Sequence, residues 1–152
     1  MPESSERLAD ILLKQDEILS ELLVVVVRQR DALKEGRIAD LQDLMSELRR
    51  LAVRAQAIET KRVHASDGMA RELMCEPVVS EIIKALPSEA ASMLEGPAKK
   101  LTGTVNGLKM EMSIVSRLME EATALNNMLL AEWRRLGQRS LGFASGTFDT
   151  KI

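Results

Sequence analysis

The residues with reactive chemistry to offer are few. His64 is the only histidine of the 152-residue chain and Cys75 its only cysteine. A zinc-type site needs three or four N, S or O ligands converging on one point. With one imidazole and one thiol, such a site would have to be gathered from distant carboxylates, so His64 reads as a surface or interhelical histidine. Nucleophilic attack by Cys75 would need a base within hydrogen-bond reach. Nothing beside Glu76-Pro77 supplies one, and a buried or half-buried thiol is the expectation. Gly103-Thr104-Val105-Asn106-Gly107 lacks the strand and the glycine spacing that aim backbone N–H groups at a phosphate. The carboxylates stand next to basic residues, as Glu47 does to Arg49 and Arg50, which suits solvated ion pairs on helix surfaces rather than acid–base work. No catalytic group, no metal and no cofactor is expected, and the chain is not read as an enzyme.

Recognition chemistry is better represented. Nine methionines supply unbranched thioethers that adapt to varied surfaces, and five of them, Met93, Met110, Met112, Met119 and Met128, fall in or just before one long helical stretch. Met128 together with Leu125, Leu129, Leu130, Trp133 and Leu136 makes an apolar surface broader than a two-helix seam requires, which is the signature of a groove or face for a partner helix. Asn126 falls on that seam. It either sets register as a buried amide or marks, exposed, where the internal core ends and a partner's helix begins.

These side chains need helices to carry them. Apolar residues recur at alternating four- and three-residue intervals through Leu94, Ala98, Leu101, Val105, Leu108, Met112, Val115, Met119 and Ala122, then Asn126, Leu129, Trp133 and Leu136. That period keeps them on one stripe of a helix. With no Tyr, one Trp and two Phe among 45% hydrophobic residues, the aromatics that commonly fill sheets are missing, and the class reads as all-α. A first helix is predicted over about 6–34, with Ser4 or Ser5 as N-cap, and a second over 38–66, stopped at Asp67-Gly68. Gly36 between them either turns the chain into an antiparallel hairpin or bends one long helix. Short helices are expected within 69–95, Pro77 opening one and Pro87 closing it. Gly96-Pro97 is predicted to separate these from a long helix over 98–140. Gly103 and Gly107, four apart, either permit close helix approach or loosen that helix. The four valines Val24 to Val27 are apolar all round, so they are either wrapped by the core or a self-association patch. Residues 1–142 read as a single helical bundle domain, an antiparallel hairpin or three-helix coiled-coil bundle, elongated in shape. Residues 143–152, with Phe143 and Phe148, read as a flexible tail.

A formal net charge of -2 argues against nucleic acid as a partner, since phosphate binding requires a concentrated basic surface. The longest apolar run, Leu22 to Val27, is far too short to span a bilayer, so no membrane insertion is expected. One cysteine and no signal peptide point to the cytoplasm.

Taken in order, the parts resemble the flagellar export chaperones of the FlgN type. The resemblance is carried by two long amphipathic helices joined around Glu35-Gly36, by Val79-Ser80-Glu81-Ile82-Ile83-Lys84-Ala85-Leu86-Pro87, and by Leu125-Asn126-Asn127 with Leu129-Leu130. The ending Gly146-Thr147-Phe148-Asp149-Thr150-Lys151 completes it. The chain departs from the family pattern at Arg37, where an acidic residue is usual, at Phe148, where the family has Tyr, and at Ile152 in place of a Gly. The resemblance implies a cytosolic chaperone that holds flagellar hook-associated proteins, the hook–filament junction subunits, by their helical C-terminal segments. It would keep them unassembled and deliver them to components of the flagellar type III export apparatus, binding through its C-terminal end. Leu125, Asn126, Met128, Leu129, Trp133 and Leu136 are the expected contacts, and Phe143 and Phe148 either dock beside them or meet the export machinery. The competing expectation is a structural coiled-coil module forming a homodimer or larger scaffold.

Overall fold

The computed structural model describes residues 2–140, with side chains from residue 3 to residue 138. Among these residues there are four helices and no strand: α1 (Pro2–Glu35), α2 (Ile38–Leu73), α3 (Val79–Ala85) and α4 (Ser88–Ser140). They fall into two compact units, Met1–Val115 and Ser116–Ile152, with α4 contributing to both.

In the first unit, α1 starts earlier than its serines suggest. Pro2 opens the helix, a position where a missing N–H and a fixed φ cost nothing, so Ser4 and Ser5 lie inside it rather than capping it. Glu3 in the first turn and Lys34 in the last complement the helix dipole. At the far end Gly36 adopts φ 70°, the left-handed turn a glycine permits, and Arg37 N–H reaches back to the Ala32 carbonyl at 2.8 Å. The chain therefore reverses. Gln15 bonds Glu59, Arg54 bonds Glu21 and Gln29 bonds Met45, so residue numbers rise on one helix as they fall on the other: α1 and α2 are an antiparallel hairpin, not one bent helix.

Two local stop signals are overridden. Asp67-Gly68 does not end α2, which continues to Leu73 because the next residues, Met69 and Ala70, are buried. A glycine costs a helix about 1 kcal/mol, whereas burying a methionine side chain returns about 1.5–3 kcal/mol. The helix stops instead at Met74, left-handed at φ 57°, with its N–H on the Ala70 carbonyl. Likewise Gly96-Pro97 does not separate two helices: Pro97 lies inside α4. Ala91 and Leu94 before the proline, and Ala98 and Leu101 after it, pack on one apolar cluster, and only a continuous helix keeps all four on the same face.

That cluster joins Leu8, Leu12, Met69, Ile82, Leu86 and Leu94. α3 enters it through Ile82, fully buried, before Leu86 turns extended ahead of Pro87. A second cluster, nearer the hairpin turn, contains Leu22, Val25, Ala32, Leu44 and Leu51, with Leu108 of α4 against it. Of the four valines, Val25 and Val26 are buried, Val27 is half-buried and Val24 is exposed. They are thus neither fully wrapped nor a continuous patch.

Candidate partner-binding surface

Polar ties fix α4 on the hairpin within the first unit. Thr104 Oγ1 donates to Asp16 Oδ1 at 2.5 Å, and Lys100 Nζ lies 3.8 Å from Asp16 Oδ2. Asp16 is only 4% exposed, and a carboxylate that deep needs such partners. Further along, Arg30 grips Glu111 with one nitrogen on both carboxylate oxygens, at 2.7 and 2.8 Å. The contacts ascend together along both helices, so this part of α4 runs parallel to α1 and antiparallel to α2. On the α2 side Glu59 accepts from Gln15 and twice from Arg62, at 2.9 and 2.5 Å from the latter. The Arg62 hydrogen bonds hold the Glu59 carboxyl below its ordinary value of 4.5; partial burial opposes them and the Gln15 amide adds to them.

Sequence reasoning missed these groups, although a signal was present. In α1 the four-three spacing runs Leu8, Leu12, Gln15, Leu19, Leu22, Val26 and Gln29, with two amides at positions the pattern reserves for apolar residues. The structure buries both, and both reach across to α2. Asp16, next to one of them, carries no periodic mark.

The second unit displays a different surface. Its described part is the helical stretch from Ser116 to Ser140. On an ideal helix Ala122, Leu125, Asn126, Trp133 and Leu136 all lie within roughly 60° of Leu129. Leu125, Leu129, Trp133 and Leu136 are 57, 53, 59 and 48% exposed. Asn126 is exposed as well, and the amide therefore does not act as a buried register device within the chain. Met119 and Met128, both exposed, stand on opposite flanks of the stripe, roughly 80° and 100° from Leu129. Glu132 borders it and pairs with Arg135 one turn on. Phe143 and Phe148, with the rest of the predicted tail 143–152, lie outside the described residues.

The remaining candidates for chemistry stay apart. His64 is exposed and lines a shallow groove between α1 and α2 with Arg7, Asp10, Lys14 and Lys61. Cys75 is half-buried and unpaired, packed beside the α3 cluster. No group of three or more His, Cys, Asp or Glu able to hold a metal ion occurs among the described residues, and none of the described helices is long and apolar enough to cross a membrane.

The described residues thus form an all-α protein, a helical hairpin braced by α4, with leucines and a tryptophan exposed on one helix face of its second unit. The chain belongs to the FlgN family, whose model, described as FlgN protein, matches residues 1–142. That membership gives it the role of a flagellar export chaperone, in a family not known as enzymatic, whose chaperones bind flagellar hook-associated proteins. Neither the characterised proteins nor the solved structures yielded a match.

Proposed function

We propose that this chaperone holds hook-associated proteins by their helical C-terminal segments, laid against the stripe formed by Leu125, Asn126, Leu129, Trp133 and Leu136 with Met128 on its flank, while Phe143 and Phe148 either dock there in the free protein or meet the export machinery. In the cytoplasm it keeps these subunits unassembled and passes them to the flagellar type III export apparatus. The single observation that supports the reading is the exposure of Leu129, Trp133 and Leu136 on one helix face. An amphipathic helix from an unassembled subunit would otherwise associate with its own kind; a matching apolar face covers it reversibly and needs no nucleotide. The competing reading is a structural coiled-coil module, in which the same stripe packs on further copies of this chain to build a homodimer or a larger scaffold.

Co-expression with each hook-associated protein, followed by co-purification, tests the proposal. Recovery of a complex, lost when the subunit's C-terminal helical segment is deleted, is the expected result. Failure to retain any of them, with normal motility in a strain lacking the chaperone, would overturn it. Light scattering over a range of concentrations separates the competing reading, since a concentration-independent monomer excludes the scaffold.

A further inference from the structure

By its own residues, α4 is weakest where α1 holds it. Between residues 96 and 107 it contains Gly96, Pro97, Gly103 and Gly107. Each glycine in a helix interior shifts the helix–coil balance about fivefold toward coil relative to alanine. The proline removes one helical hydrogen bond and presses its ring on the carbonyl four residues back, that of Met93. None of these glycines is required by packing: an added Cβ would meet nothing within 4 Å at Gly96 or Gly103, and at Gly107 would rest in ordinary contact, 3.7 Å from Leu23 Cδ2. Positive φ does not demand them either, since Gly36 alone has it among the described glycines. Thr102, Thr104, Val105 and Asn106 add poor helix formers. The hydroxyl of Thr102 donates to the carbonyl of Ala98 at 2.9 Å, a pattern that weakens and bends helices.

What opposes this weakness is tertiary. Thr104 and Lys100 meet the buried carboxylate of Asp16, while Ala98 and Leu101 lie against the first apolar cluster. The residues that follow within the unit, Leu108 to Val115, contain neither glycine nor proline and are tied again by Glu111 to Arg30. We propose that residues 96–107 of α4 form a helix–coil switch that opens locally while the α1–α2 hairpin stays folded, and that Asp16 is the latch holding it closed. Three dispensable glycines and a proline in one three-turn segment make local opening far less costly there than in the flanks. Such an opening changes the reach of a helix without dissolving the bundle.

Native-state hydrogen exchange on the full chain tests this. Amides of residues 98–107 are expected to exchange at least tenfold faster than those of residues 8–26 in α1, with almost no dependence on low urea concentration, because a local opening exposes little surface. Equal rates with the same urea dependence in both segments would overturn the proposal. Asp16→Ala is expected to speed exchange in 98–107 at least tenfold more, and adding Gly103→Ala should recover about fivefold of it. Exchange unchanged by Asp16→Ala would remove Asp16 as the latch. Should Asp16→Ala fail to fold, the pair Gly96→Ala and Gly103→Ala still decides. It is expected to slow exchange in 98–107 by about 25-fold over the native chain, and unchanged rates would contradict the switch.

Discussion

Leu94 and Trp133 belong to the same helix, yet one is fully buried and the other is more than half exposed. Truncating them should therefore have opposite consequences. Leu94→Ala opens a cavity among Leu8, Leu12 and Ile82 and is expected to cost about 2–5 kcal/mol in urea unfolding. Trp133→Ala removes an aromatic from the stripe. It is expected to weaken capture of a hook-associated protein well over tenfold, more than about 2 kcal/mol, while unfolding moves by about 0.5 kcal/mol or less. Unfolding of Trp133→Ala with no separate loss of binding would instead make Trp133 part of the chaperone's own core. Glu59 gives a pH signature at the same scale. Its carboxyl is held below 4.5 by Arg62, so the folded state releases its proton more readily than the unfolded chain does. The resulting stability is present above the unfolded value and is lost as pH falls through the lower folded one. Glu59→Gln is thus expected to be less stable than the native chain at neutral pH. That difference should shrink as pH drops below 4.5, as urea midpoints at several pH values will show. A gap that widens in acid would contradict the role given to Arg62.

At the scale of elements, the glycines divide by conformation rather than by composition. Gly36 sits at φ 70°, where a Cβ is opposed, and Gly36→Ala is expected to cost about 1 kcal/mol or more. Gly68 is helical with open space around it, so Gly68→Ala should stabilise by about 1 kcal/mol. Equilibrium denaturation of the two variants checks both signs. The same contrast explains what the sequence reveals about the helices. The stripes of α1, α2 and α4 are legible because burial on one face imposes a period that any window displays. The C-terminal end of α2 and the continuity of α4 are not, because Gly68 and Pro97 are local signals, while Met69, Ala98 and Leu101 outweigh them through contacts with residues distant in sequence. The polar ties are half legible. Gln15 and Gln29 interrupt a visible period, whereas Asp16 acquires its buried site only once Thr104 and Lys100 are folded against it. Leu129, Trp133 and Leu136 are legible as one stripe by their spacing, and their exposure follows from structure alone.

For the whole molecule, the proposed function has an export chaperone of the FlgN family hold an unassembled flagellar subunit on the exposed helix face of its second unit. Its first unit has the apolar clusters and polar ties expected of a stable bundle, and its second offers leucines and a tryptophan on one stripe. A partner helix would bury that stripe, and a charge placed in its centre should then be intolerable to binding while remaining harmless to the free protein. Leu129 is the test position, being exposed and at the middle of the face. Calorimetric titration of a purified hook-associated protein into the native chaperone and into Leu129→Asp measures this directly. Saturable binding to the native chain, with heat of binding abolished or affinity lowered more than about 30-fold in Leu129→Asp at unchanged helicity, is the predicted result, as expected when more than about 2 kcal/mol is lost at a desolvated anchor. Equal affinity of the two proteins would contradict the claim.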